Sequence, residues 1–164
     1  IAGEDGDEEL SIDTAGGYAG VRGHSVHSGN DIGLLPGPYR LLIEADGPWR
    51  VNIGQAFPLD ETAGTALPIR LTERRGDDVL RWVEPPEGLS AIRASHLGAG
   101  SFVIELINAD GASEILVANE TGNHEGERVL NVGPDGSTSD LAPGFYALVV
   151  QAGGDWEIAF ESKP

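Results

Sequence analysis

Short alternating apolar runs, separated by turn residues, dominate the sequence from residue 67 onward. Alternation with period two predicts half-buried strands, and many short strands with frequent turns are typical of β-sandwiches and jelly rolls. No long window shows the apolar spacing of an amphipathic helix. The sequence therefore predicts an all-β protein, an antiparallel sandwich that is jelly-roll-like. The predicted strands are "LPIRLT", "DVLRWV", "LSAIRAS", "SFVIELIN", "EILVAN", "RVLNV", "FYALVVQA" and "WEIAF".

One segment of the chain occurs twice. "PYRLLIEADGPWRVNI", residues 38–53, is followed 107 positions later by "FYALVVQAGGDWEIAF", residues 145–160. Each reads as a hairpin in which alternate apolar residues of both strands share an inner face and "ADGPW" or its equivalent forms the turn. The copies superpose without gaps, which indicates an internal repeat. The identical pairs are Pro36 with Pro143, Gly37 with Gly144, Tyr39 with Tyr146, Leu41 with Leu148, Ala45 with Ala152, Gly47 with Gly154 and Trp49 with Trp156.

The first repeat is predicted to be incomplete. Upstream the match continues through one gap, because "GGYAG" at 16–20 falls opposite "GNHEG" at 122–126. The second copy has several strands ahead of that point, whereas the first has only an acidic tail. The predicted organisation is an acidic segment with an incomplete repeat at 1–53, a connector at 54–65, and a complete sandwich at 66–164.

A partial sandwich leaves apolar side chains and unpaired strand edges exposed, so something is expected to cover them. The sequence leaves three explanations of how the exposed face and edges of the first repeat are covered. The first hairpin adds to the sheets of the second copy, a preceding segment was removed from the chain, or another molecule supplies the missing strand. The last alternative would produce a polymer.

The large excess of acidic over basic residues excludes some classes of binding partner. The chain carries 27 acidic and 10 basic residues, a net charge of -17, which excludes nucleic acid as a partner. Such a surface suits a saline medium or bridging divalent cations. Cysteine and methionine are absent, and a chain that starts at Ile1 without Met suggests a mature, exported product. We expect an extracellular or cell-surface protein without a membrane span.

The second copy resembles the small β-sandwich repeats of secreted bacterial and archaeal proteins, including pre-peptidase C-terminal domains and related actinobacterial modules. Such families are non-catalytic appendages, so the resemblance implies an accessory or structural role and an extracellular setting, and it names no ligand. It covers residues 66–160 well and 10–53 partly. The residues that carry it are Phe102, Leu106, Asp110, Gly111, Gly122, Gly144, Tyr146, Leu148, Val150, Ala152, Gly154 and Trp156.

No catalytic, cofactor-binding or metal-binding residue is assigned from the sequence. His24 and His27 are three residues apart, which places them on opposite faces of a strand without a third ligand. "NADGASE", residues 108–114, has calcium-ligand oxygens, yet an Asp-Gly turn explains it better. Calcium held jointly by several acidic loops stays possible and cannot be located. Ser95 beside His96 is a weak nucleophile pair, because adjacent strand residues point apart.

Four other features are interpreted conservatively. "RGD" at 75–77 is expected to be a turn rather than an adhesion motif. Trp49 and Trp156 occupy repeated inward positions and are expected in the core, while Trp82 is the better candidate for an exposed aromatic residue that stacks on sugars. Asn119 in "NET" is an N-glycosylation acceptor in form, expected in a loop after a strand.

Two functions remain at the end of the sequence analysis. The first is a non-enzymatic structural protein that self-associates by strand complementation into a fibre or surface layer. The alternative is a module that binds polysaccharide as part of a larger extracellular protein.

Overall fold

A computed structural model describes residues 17–22, 38–54, 64–108, 114–134 and 139–164. All regular secondary structure within those ranges is β, and none of it is a helix that could cross a membrane. The strands are β1 (Thr65–Ala66), β2 (Ile69–Arg75), β3 (Asp78–Glu84), β4 (Gly88–Leu97), β5 (Ser101–Asn108), β6 (Glu114–Thr121), β7 (His124–Val132), β8 (Tyr146–Ala152) and β9 (Asp155–Ser162).

The strands form two sheets. One has five strands in the order β1-β3-β8-β5-β6, and the other has four in the order β2-β9-β4-β7. All pairings between strands are antiparallel except that of β1, which runs parallel to β3. An isolated parallel bridge also joins Val132 at the end of β7 to Leu141. The eight strands predicted from the sequence are confirmed as β2 to β9. The all-β class and the two-layer architecture are therefore shown, and β1 is a short addition at the end of the predicted connector.

Four turns carry the chain from one sheet to the other at the same end of the sandwich. They join β2 to β3, β4 to β5, β6 to β7 and β8 to β9, and each contains glycine. Backbone hydrogen bonds tie them side by side: Gly76 N to Gly154 O at 3.2 Å, Gly153 N to Ser101 O at 2.8 Å, and Gly122 N to Gly100 O at 3.0 Å. We call each pair of strands joined in this way an arch.

The core lies between the two sheets and is filled from both. Fully buried side chains alternate along the central strands, as the period-two pattern predicts. Each large apolar side chain withdrawn from water contributes about 1.5–3 kcal/mol, which makes this layer the main source of stability. Its largest members are Trp156, Tyr146, Phe102, Phe160, Ile92, Ile104, Leu106, Leu130, Leu148 and Ile158.

The prediction of a hairpin at 145–160 is wrong, because its two strands do not pair with each other. β8 pairs with β3 and β5, whereas β9 lies in the other sheet between β2 and β4. The two strands therefore form an arch. A hairpin and an arch require the same local sequence, two alternating strands around a tight turn, so the sequence pattern does not distinguish them.

The hairpin predicted at 38–53 is also absent. Residues 38–54 contain no strand, only a single bridge residue at Arg40, and most of their side chains are exposed. An isolated pair of strands is marginally stable at best without a sheet or a packed face. The likeness of this segment to the β8–β9 arch is therefore a likeness of sequence, and the structure does not show two repeat units.

Candidate interaction surface

Residues 38–54, which we call the exposed segment, present apolar side chains to solvent. Scattered exposed apolar residues are ordinary, but a contiguous set often marks a contact surface. Five large ones lie within thirteen positions here. They are Leu41, Leu42, Trp49, Val51 and Ile53.

Trp49 and Trp156 show the contrast most directly. Trp49 is 61% exposed, against 2% for Trp156 at the matching position of the other copy. The Trp156 indole Nε1 donates to Gly76 O at 2.7 Å, so both its apolar body and its polar atom are satisfied. The expectation of a core role is confirmed for Trp156 and wrong for Trp49.

The turn residues of the two copies also differ in their surroundings. A Cβ on Gly154 would lie 2.3 Å from Leu97 O, and one on Gly153 would lie 2.7 Å from Gly100 Cα. A Cβ on Gly47, the counterpart of Gly154, would meet nothing within 4 Å. The counterpart of Gly153 is Asp46. The exposed segment thus does not fit the central place of the β8–β9 arch, because Asp46 would collide with Gly100.

Residues 17–22 are bound to the sandwich through Asp77, whose side chain is 5% exposed. Tyr18 Oη and Arg22 Nε each donate to Asp77 Oδ2 at 2.7 Å. Asp77 Oδ1 accepts from Ala152 N at 2.9 Å. One carboxylate therefore joins the β2–β3 turn, the end of β8 and the stretch of chain that precedes the exposed segment.

The Tyr18 contact changes the acidity of the phenol. Partial burial, and then the hydrogen bond to Asp77, raise the pKa of Tyr18 above its ordinary value. A side chain at Gly20 would displace the Tyr18 ring from this position, because a Cβ there would lie 2.5 Å from Tyr18 Oη. The same local arrangement occurs in β7, where a Cβ on Gly126 would lie 2.8 Å from His124 Nε2. These are the positions that the sequence analysis aligned.

The outer face of the four-stranded sheet is a shallow groove of about 540 Å³. Arg93 bonds to Glu127 and to Glu161, whose carboxylate also pairs with Arg70, and Lys163 Nζ lies 3.0 Å from Glu127 Oε1. Hydrogen bonds from Lys163 and Arg93 lower the pKa of Glu127. The residues that line this groove include no aromatic side chain, so it lacks the stacking platform expected of a sugar-binding face.

Glu125 and Glu157 lie one row away on the same face, on either side of Ser95 in the sheet register. Neither forms an ion pair with any residue that the structure describes. This part of the outer face therefore carries negative charge that no described cation neutralises.

The residues of the "RGD" and Ser95–His96 motifs have structural roles in the fold. Gly76 and Asp77 form the β2–β3 turn, and the buried Asp77 side chain is inaccessible to a receptor. Ser95 lies on the outer face, whereas His96 is 3% exposed in the core, so the two point apart as predicted. His96 Nδ1 donates to Gly122 O at 2.7 Å, and its ring stacks on Phe102 with centroids 4.8 Å apart.

Some of the remaining sequence features lie outside the residues that the structure describes. These are His24, His27, Asp110 and Gly111. Asn119 is exposed, but it lies within β6 rather than in a loop, which corrects that expectation. Trp82 is half-buried at an irregularity of the β3–β8 pairing, with φ 59°. Among the described residues no group of three His, Cys, Asp or Glu side chains is placed to hold a metal ion.

Comparison with known proteins identifies no relative: no family model, no curated protein and no solved structure matches this chain. The all-β, two-sheet architecture implied by the resemblance to secreted sandwich repeats is present. Membership of that family is not shown.

Proposed function

We propose that this protein is a non-enzymatic structural protein of the extracellular space or cell surface, and that it self-associates by β-strand complementation into a fibre or surface layer. The observation that carries the proposal is the 61% exposure of Trp49, in a segment whose sequence matches a central arch. Residues 41–54 have strand-like alternation but form no strand with any residue that the structure describes, and such a segment is suited to pairing with a sheet edge of another molecule.

The energetics support the proposal. Burial of the five apolar side chains of the exposed segment would stabilise a contact by less than the about 1.5–3 kcal/mol that a fully exposed side chain gains, because each is already partly buried, and the entropy of association is still to be subtracted. Of the buried polar side chains, Asp77 and the Nδ1 atom of His96 are hydrogen-bonded within the fold, whereas Ser90 Oγ and His96 Nε2 have no hydrogen-bond partner among the described residues.

The test is the molecular mass of the purified protein across a concentration range, measured by size exclusion with light scattering and by negative-stain electron microscopy. We expect large, ordered species for the wild type and discrete monomers for Trp49→Ser. Leu97→Ser is the matched control, because Leu97 is 66% exposed but lies outside the segment, and it should assemble like the wild type. A wild type that stays monomeric at every concentration contradicts the proposal.

Polysaccharide binding is the second candidate, and the exposure of Trp49 is what favours it, because an accessible indole face stacks on pyranose rings. Titration with soluble glucans and chitin oligosaccharides, followed by tryptophan fluorescence, tests it. Binding should quench fluorescence and raise the melting temperature of the wild type but not of Trp49→Ala. Self-association that persists with sugar present would separate the two functions.

A further inference from the structure

We propose that the exposed segment of one copy adds to the outer edge of β7 in a second copy, with Arg50 beside Glu125, so that successive copies form an open filament. This inference rests on the proposed function and specifies its receiving surface. It also states the mode of contact, which is addition at a sheet edge rather than exchange of the β8–β9 arch.

The turn of the exposed segment disfavours replacement of the β8–β9 arch of a second copy by this segment. In the central place the residue at the position of Gly153 must lack a side chain, because a Cβ would lie 2.7 Å from Gly100 Cα. The exposed segment has Asp46 there. At a sheet edge the turn has no neighbouring arch on its outer side, so a side chain at that position is tolerated.

The four-stranded sheet ends in β2 and β7. The pairing of β2 with β9 is irregular between Leu71 and Arg74, and Glu73 has φ 55°. Such irregularities protect an edge from added strands. β7 pairs regularly with β4 along its whole length. Among described residues, positions 124–130 of β7 have no backbone partner on the outer side, so β7 is the better template.

Charge and side-chain direction specify how the segment lies. Along an extended strand, Trp49, Val51 and Ile53 share one side and Arg50 lies on the other. With the apolar side facing the sandwich interior, as in β9, Arg50 joins the outer face of the sheet. Glu125 is exposed on that face of β7, and neither side chain has an ion-pair partner among the described residues. Opposite charges on neighbouring strands stabilise their pairing.

The difference between the donor surface and the receiving surface predicts an open assembly. Arg22 is bound at Asp77, beside the β2–β3 turn, and residue 64 leads directly into β1 on the outer side of β3. The nearest described residues before and after the exposed segment, Arg22 and residue 64, thus lie on the β2–β3 side of the sandwich, while β7 is the strand at the opposite edge. Donor and receiving surfaces differ, so the contact is heterologous, and a heterologous contact that does not close into a ring generates a filament.

A charge-reversal cycle tests the pairing at low salt, where screening is weak. Arg50→Glu and Glu125→Arg should each weaken association by roughly tenfold, and the double variant should recover most of that loss. Glu157→Arg is the matched control, because Glu157 lies on the same face but on the central strand β9, and it should not rescue Arg50→Glu. Independent effects of the two reversals, without rescue, would overturn the assignment to β7.

Engineered disulfides test the same contact in a second way. The chain has no cysteine of its own, so every disulfide that forms must join introduced cysteines. Neighbouring strands of a sheet lie about 4.7–4.9 Å apart, which brings residues at the same level within disulfide reach. Under mild oxidation, Arg50→Cys combined with Glu125→Cys should form a ladder of covalent multimers. Arg50→Cys combined with Thr72→Cys, on the edge strand β2, should not. The reverse result would move the receiving edge to β2.

Failure of this inference and failure of the proposed function are distinguishable. If Trp49→Ser abolishes assembly but neither the charge cycle nor the cysteine pair reports contact at β7, self-association stands and the receiving edge is wrong. If the wild type does not assemble, or Trp49→Ser assembles normally, both are wrong.

Discussion

Residues 38–53 and 145–160 carry nearly the same pattern of apolar, turn and aromatic residues, yet one is exposed and the other forms the centre of the sandwich. The β8–β9 arch has a neighbouring strand on both sides in both sheets. The exposed segment has no strand partner among the described residues beyond the single bridge residue at Arg40. The difference teaches that a strand-like sequence becomes a strand only where neighbours are present to pair with it.

The tryptophan pair gives the largest test of this comparison. Trp156→Ala should lower the free energy of unfolding by about 3–5 kcal/mol, because it leaves a large cavity in the core. Trp49→Ala should change the free energy of unfolding of the monomer by less than about 0.5 kcal/mol, since the Trp49 side chain is 61% exposed. Denaturant unfolding followed by circular dichroism at low protein concentration measures both. Equal losses would mean that the two copies are buried alike.

The turn glycines provide a smaller, matched pair. Gly154→Ala should destabilise the fold by about 1–3 kcal/mol, because the added methyl group meets Leu97 O and Gly98 Cα. Gly47→Ala should be neutral within about 0.5 kcal/mol, since the space around it is open. Thermal unfolding of the two variants is the measurement. A large loss for Gly47→Ala would show that its turn is packed in solution.

The attachment at Asp77 predicts a pH dependence. Burial and the hydrogen bond to Asp77 raise the pKa of Tyr18 above its ordinary value. The contribution of this contact is therefore fully present below the unfolded-state pKa of about 10 and is lost as the pH rises through the folded-state pKa. The protection of the amides at 17–22 against hydrogen exchange, relative to the base-catalysed rate of an unstructured peptide at the same pH, should fall in that range. Tyr18→Phe should exchange faster already at neutral pH, and a variant with unchanged exchange would contradict the role of this contact.

Ionic strength should have the smallest effect. Raising salt from low values screens the surplus carboxylates, so the melting temperature should rise by a few degrees. The increase should be similar in the wild type and in Trp49→Ala, because it reflects net charge rather than the exposed segment. A flat melting temperature across that range would remove the interpretation that this surface is adapted to a saline medium.

Sequence reasoning located the strands well and their partners poorly. Each of the eight runs from residue 67 onward became a strand, because period-two alternation and glycine turns are local signals. The positions of Trp49 and Asn119 were predicted less well. Burial of Trp49 depends on strands far away in sequence, and Asn119 belongs to a strand that extends beyond its apolar core. The anchoring role of Asp77 had no sequence signal, because its partners Tyr18, Arg22 and Ala152 are distant along the chain.

The amino-acid sequence by itself determined the all-β class, the strand positions, the turns and the acidic surface. The tertiary structure decided which of two similar segments is buried and that the strands of the buried one divide between two sheets. The physical reason is that side-chain alternation records only whether a residue faces inward. Which strands meet, and whether inward means toward a partner sheet or toward solvent, is set by long-range packing that no short window contains.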